Sequence, residues 1–273
     1  MAIPTSRLKA VKRAVASLLR GGAKPHYIRN YRSHVRALLA AKPEAEAMAL
    51  AVGGEFHAFG AALRDLLVQC GLRDGMTLVD VGCGSGRLAY ALRDMAIGYV
   101  GTDVVAQMLR YAERTCGRPD WRFLRTDGLT IPLSDEVADM MAFISVFTHL
   151  RHEEAFAYLL EARRVLKPGG LVLFTFLDFT EGAHWAIFER YMETVRAGET
   201  PMHVDQFMDR AMLEVWAARL GLEVHGMLRG SDDYIALSRE IVRDDGSRVA
   251  GRMSLGQSVC ILRKPAAALQ PPM

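Results

Sequence analysis

Leu78-Val79-Asp80-Val81-Gly82-Cys83-Gly84-Ser85-Gly86 decides the fold. A short apolar run enters a turn carrying three alternate glycines, and a helical pattern starts behind it. Such a run, bounded by a turn, reads as a strand buried on both faces. Alternate glycines remove Cβ atoms where a ligand must approach the backbone closely. Amides at the start of the following helix favour an anionic group such as a carboxylate. The spacing is not that of a dinucleotide site, because Arg87 stands where the third glycine of G-x-G-x-x-G would be. A P-loop is excluded as well, since no Gly-Lys-Ser/Thr follows.

Outward from this loop the pattern alternates. Helices are expected over Phe56 to Cys70, Gly86 to Met95, Val104 to Cys116 and His152 to Leu166. Strands are expected over Thr77 to Val81, Ile97 to Thr102, Trp121 to Arg125, Ala138 to Val146 and Leu171 to Leu177, the last entered through a turn at Lys167-Pro168-Gly169-Gly170. This rhythm predicts an α/β fold: a Rossmann-like, doubly wound, mostly parallel seven-stranded sheet with helices on both faces. Residues 183–220 read as two helical pieces divided around Gly198 to Pro201, and Leu222 to Leu228 and Gln257 to Arg263 as further strands. The expected organisation is an N-terminal helical extension over 1–45, a main domain over 46–264 and a flexible Ala/Pro-rich tail over 265–273.

Asp80 to Gly86 resembles the first motif of the class I S-adenosylmethionine-dependent methyltransferases. In that family the loop Gly82-Cys83-Gly84-Ser85-Gly86 would wrap the methionine part of the cofactor. Asp103, closing Tyr99-Val100-Gly101-Thr102-Asp103, fits the acid that holds the ribose hydroxyls, and a carboxylate can accept both protons of a cis-diol. The resemblance places Asp127, followed by Gly128, near the adenine amino group, with Val104 and Met108 against the ring. Ile144-Ser145-Val146-Phe147-Thr148-His149-Leu150 is similar to the segment after the fourth strand of small-molecule methyltransferases, and sets Ser145 and Val146 beside the cofactor. Arg164-Val165-Leu166-Lys167-Pro168-Gly169-Gly170 resembles the turn before the family's fifth strand. Five motifs in register over about residues 55–178 are more specific than any one. Plainer roles exist for single members: Asp80 and Asp127 as turn caps, and Cys83 as a small filler.

The cofactor's sulfonium makes its methyl group electrophilic, so the resemblance leaves the protein to align an acceptor and, for a hydroxyl, to remove its proton. His149, at the ligand-binding end of the fourth strand, is the candidate base, with simple packing as its alternative. Asp178, just past the fifth strand, is a second candidate for substrate contact. His152 and Glu153 read as the start of a helix. His184, His203 and Tyr234 fall in the inserted stretches 179–221 and 230–256, which are expected on the substrate side. No Asn/Asp-Pro-Pro-Tyr/Phe follows the fourth strand, as a nucleic-acid amino methylase would have, and no Asp/Asn cluster suggests a metal site. The expected acceptor is therefore a small molecule, most simply a hydroxyl oxygen of a metabolite, sugar or natural product. Alternatives are an RNA- or protein-directed methyltransferase and a catalytically silent Rossmann-like binding subunit.

Composition sets the remaining bounds. With 273 residues, 51% apolar and 24% charged, the chain can build a substantial core without disulfides or metal. Its four cysteines, Cys70, Cys83, Cys116 and Cys260, form no C-x-x-C pair, and a reducing, cytoplasmic setting is the simplest reading. No apolar run approaches the ~18 residues of a membrane span. Charge is unevenly placed. Residues 1–43 hold ten of the 34 basic residues and none of the 31 acids, so the body of the chain is net acidic. Helices over Arg7 to Arg20 and Tyr27 to Ala41 are expected there. They could pack on the domain, meet an anionic surface such as a lipid headgroup or RNA, or form a targeting peptide.

Overall fold

In the computed structural model, residues 26–199 and 204–266 are described. The expected helix over Arg7 to Arg20, the position of His203 and most of the tail lie outside them. Two helices lead in, α1 (His26–Ala41) and α2 (Glu44–Leu50), followed by α3 (Phe56–Gln69). The alternating region is β1 (Thr77–Val81), α4 (Arg87–Leu92), β2 (Gly98–Asp103), α5 (Ala106–Cys116), β3 (Arg122–Arg125) and β4 (Ala138–Phe143). A 3-10 turn at Phe147–His149 then leads to α6 (His152–Val165) and β5 (Leu166–Asp178). The chain continues through α7 (Gly182–Arg196), β6 (Phe207–Met208), α8 (Arg210–Leu220) and β7 (Glu223–Leu228). It closes with the short strands β8 (Ile235–Ala236), β9 (Ile241–Val242), β10 (Arg248–Val249) and β11 (Arg252–Met253), and then β12 (Ser258–Arg263).

The main sheet runs β3-β2-β1-β4-β5-β12-β7, with the two-residue β6 paired to the end of β5. All pairs from β3 to β5 are parallel, and β12 is antiparallel to both of its neighbours. This is the expected Rossmann-like sheet with its strand order reversing at β1 and β4, where ligands bind such sheets. Buried strands show why the order is stable. Val79 and Val81 of β1 pack with Met141 and Phe143 of β4 on the face covered by α6 and α8. Leu78, Met140 and Ala142 face the other way, under α3 and α4. Period-two alternation in wholly apolar strands thus feeds two cores at once.

Three details depart from expectation. Lys167 to Gly170 is not a turn ahead of β5. It bulges within that strand opposite Asp139, and Lys167 Nζ meets Asp139 Oδ2 at 2.8 Å. Glu44–Leu50 forms a helix of its own, holding Ala47 and Met48 inward. The stretch 230–256 folds into two antiparallel strand pairs, β8 with β11 and β9 with β10, whose Ile235, Ile241 and Met253 pack into the core under α3. Among the described residues no helix is long and apolar enough to cross a membrane.

Candidate active site

A cavity of about 410 Å³ opens at the carboxyl ends of β1, β2 and β4, and the glycine loop forms part of its wall. Gly82, Gly84 and Gly86 all take left-handed backbone, at φ +75°, +58° and +84°. A side chain would be strained at each. Space forbids one too, for different reasons along the loop. A Cβ on Gly82 would stand 2.5 Å from Val146 Cγ2, and one on Gly84 would stand 2.6 Å from Val52 Cγ1, both in the cavity wall. A Cβ on Gly86 would instead meet Ala112 Cβ of α5 at 2.6 Å, so this glycine serves helix packing.

Asp103 ends β2 with both carboxylate oxygens anchored. The Gly84 amide donates to Oδ2 at 3.0 Å and the Val105 amide to Oδ1 at 2.8 Å. The loop and the acid thus hold each other in place, and burial raises the Asp103 pKa against these bonds. The carboxylate keeps lone-pair capacity for a ligand hydroxyl beyond these backbone bonds. Thr102, the residue before Asp103, also lines the cavity, while its hydroxyl is buried without a hydrogen-bond partner among the described residues. Asp80 lies deeper. Burial pushes its pKa up to about 7, opposed by the Tyr99 hydroxyl, which donates to Oδ2 at 2.8 Å. Cys83 also lines the cavity, but burial drives its thiol pKa well up and leaves it a poor nucleophile.

Arg87 is the feature that the sequence reading passed over. Its Nη1 donates to the Val52 carbonyl at 2.9 Å, and its guanidinium lies 5.5 Å from the centre of the Phe59 ring. Burial pulls its pKa down to about 10, with Asp80 as the opposing charge. Arg87 lines both the main cavity and a side cavity of about 170 Å³, which Ser145, Leu255 and Gln257 also line. A desolvated cation on a cavity wall suits an anionic ligand group. Ser145 is held at φ +55°, with its amide donating to Thr175 Oγ1 at 2.7 Å and its hydroxyl to Gln257 Oε1 at 3.2 Å. Strain of this kind in a non-glycine residue collects at functional sites.

His149 lines the same cavity, at the end of the 3-10 turn. Its Nδ1 is 3.0 Å from the Val204 carbonyl oxygen. A carbonyl only accepts, so Nδ1 carries the proton and Nε2 the lone pair. Burial lowers the His149 pKa, keeping the ring neutral near pH 7. Tyr31 of α1 meets this ring edge-on, with centroids 5.6 Å apart. Tyr27 and His34 of the same helix also line the cavity, so the N-terminal segment contributes to the site itself.

Of the other expected residues, Val104, Met108, Ser145 and Val146 line the cavity. Ser85 is buried beneath it and donates to the Met48 carbonyl at 2.8 Å. Asp127, expected near the adenine, sits half-exposed and is paired with Arg32 at 2.8 Å and Arg125 at 2.9 Å, while Thr126 lies on the cavity wall. The Gly128 carbonyl accepts from the Tyr158 hydroxyl at 3.0 Å, a bond within the scaffold. Asp178 is buried in an ion pair with Arg210 Nε at 2.7 Å and also accepts from the Thr180 hydroxyl, which accounts for it structurally. His184 accepts from the Asp178 amide and bonds the Gly256 carbonyl, His152 bonds the Phe207 carbonyl, and Tyr234 donates to the Gln257 carbonyl.

Residues 79–174 match the family described as Methyltransferase domain. That stretch, about a third of the chain, is similar to methyltransferase domains. An uncharacterized methyltransferase of Mycobacterium bovis is 32% identical over 126 residues, 45% of this chain and 48% of that protein. A second, from Mycobacterium leprae, is 30% identical over 125 residues, 45% of this chain and 46% of that protein. The chain thus spans about half the length of the curated relatives it matches. The same fold recurs in a Methanosarcina mazei structure described as a SAM-dependent methyltransferase, with a TM-score of 0.55 at 18% identity over 73% of this chain and 97% of that one. It recurs also in an Aquifex aeolicus SAM-dependent methyltransferase, with a TM-score of 0.53 at 16% identity over 84% of this chain and 98% of that one.

Proposed function

We propose that the protein transfers the methyl group of S-adenosylmethionine to a hydroxyl oxygen of a small molecule. The observation that carries the reading is Asp103, fixed by the Gly84 and Val105 amides beside the left-handed glycine loop. The residues fit the cofactor. Asp103 has lone-pair capacity for the ribose hydroxyls. Arg87 supplies a cation for the cofactor's carboxylate, and Val104, Met108 and Val146 supply apolar wall. Bound there, the cofactor supplies an electrophilic methyl group.

The rest falls to the chain's own side chains. The wall of the cavity is largely apolar. His149 keeps Nδ1–H on the Val204 carbonyl and offers Nε2 to an acceptor hydroxyl proton. A neutral imidazole at pH 7 is the form able to take it. The small-molecule acceptor is supported by the modest size of the cavity, about 410 Å³, with Tyr27 and Tyr31 of α1 in its wall. Incubation with S-adenosylmethionine and a panel of hydroxylated metabolites, beside tRNA and a protein extract, tests the reading. Methylated product is expected among the small hydroxyl compounds and is to be lost in His149→Ala. Turnover confined to RNA or protein would replace the acceptor assignment.

A further inference from the structure

The inner face of α1 meets the cavity through Tyr27, Tyr31 and His34. Val35 packs with Met48, Val105 and Met108 behind them. Arg32, one residue past Tyr31, reaches the connections that follow β2 and β3. Its Nε and Nη2 both donate to the Val104 carbonyl, at 3.1 and 3.0 Å. The same Nη2 donates to Asp127 Oδ1 at 2.8 Å. One guanidinium thus ties α1 to the two loops that close the Asp103 end of the cavity. A planar fork suits this geometry, whereas an ammonium could not grip the carbonyl from two nitrogens. The Asp127 leg is about half exposed and shared with Arg125, so the part-buried fork on Val104 is the stronger tie.

We propose that Arg32 is a positioning residue that holds α1 over the bound cofactor, so that release requires Arg32 to let go of Val104 and Asp127. This rests on the methyltransferase reading for the identity of the ligand and gives Asp127 the role of an anchor. The consequence is kinetic: Arg32 touches neither the reacting atoms nor the cavity wall, so its loss speeds release more than it alters the ligand's own contacts.

Stopped-flow displacement of S-adenosylhomocysteine from the full-length protein tests this, using wild type, Arg32→Met, Arg32→Lys, Asp127→Asn and Arg36→Met. Arg36 is exposed on the same helix and serves as the control. Arg32→Met is expected to release the ligand about tenfold faster, equivalent to about 1.4 kcal/mol of retention. Arg32→Lys should fall between it and wild type, Asp127→Asn should change release by a fewfold, and Arg36→Met should match wild type. Adding Asp127→Asn to Arg32→Met should speed release no further, because both act through one contact. Hydrogen exchange over residues 26–41 should rise in Arg32→Met without a general loss of protection. Unchanged release in folded Arg32→Met, or an equal gain in Arg36→Met, overturns the proposal. If Arg32→Met does not fold, Arg32→Lys and Asp127→Asn carry the same comparison. Wild type that binds no S-adenosylhomocysteine fails the cofactor reading instead, and hydrogen exchange in the ligand-free variants then decides the tie by itself.

Discussion

Replacing Asp80 with Asn tests how burial shapes the floor of the cavity. Asp80 is 2% exposed, and its pKa moves from 3.8 to about 7 on folding, chiefly through burial. The native state therefore binds this proton more tightly than the unfolded chain. A group of that kind contributes stability in full below 3.8 and loses it as pH climbs through about 7. The span from 3.8 to 7 corresponds to about 4 kcal/mol, all of it lost by pH 8. Asn removes the ionisation and keeps an oxygen for the Tyr99 hydroxyl, now at 2.8 Å from Asp80. Its new buried amide hydrogens cost about 1–3 kcal/mol where they find no partner. The net expectation at pH 8 is a gain of about 2 kcal/mol, or about 4–8 °C in Tm. At pH 5 the native carboxyl is protonated, the ionisation cost shrinks to about 1.6 kcal/mol, and the gain vanishes. Thermal denaturation of both proteins between pH 5 and 8 measures this. A mutant less stable than wild type at pH 8, or a difference that ignores pH, would refute the reasoning.

Other variants separate binding from folding. Gly82→Ala strains the backbone and drives a Cβ to 2.5 Å from Val146, so it should weaken S-adenosylhomocysteine binding at least tenfold, read by calorimetry. Gly86→Ala meets Ala112 at 2.6 Å and should cost about 2–4 kcal/mol of stability in denaturant melts, by overpacking and strain together. Arg210→Met leaves the Asp178 carboxylate buried without its cation and should destabilise by about 3–5 kcal/mol, again in denaturant. His149 should give a kcat/KM profile that rises with pH through a value below 6.5 and is flat at 7, because burial lowers its pKa. His149→Ala should remove that limb and about 10²–10⁴ of the rate.

Local signals were legible where chain-local physics decides them. The buried run Thr77–Val81, the alternate glycines and Asp103 need only neighbouring residues to be read, and the parallel pairing of the sheet follows from helices alternating with strands. What escaped depends on chain-distant contact. Arg87 entered the reading only as a missing glycine, because its place on two cavity walls depends on Val52 and Gln257, 35 residues before it and 170 after. Asp127 has the expected spacing, yet Arg32 from α1 and Arg125 draw it to the outside. Asp178 sits at the predicted strand end, and only the fold reveals Arg210 beside it. The helix Glu44–Leu50 is seven residues long and starts at Pro43 without a side-chain cap, leaving little signal. The basic segment's partners were unreadable for the same reason, since nothing local says that Tyr27 and Tyr31 turn toward a cavity.

The most direct test is calorimetric titration of the folded protein with S-adenosylhomocysteine, in wild type and Asp103→Ala. Micromolar binding by wild type, weakened by about 1.5–3 kcal/mol in the mutant as charge-assisted bonds to the ribose are lost, is the predicted result. Folded wild type without measurable binding, or a mutant that binds as well as wild type, would contradict the assignment of this cavity to the cofactor.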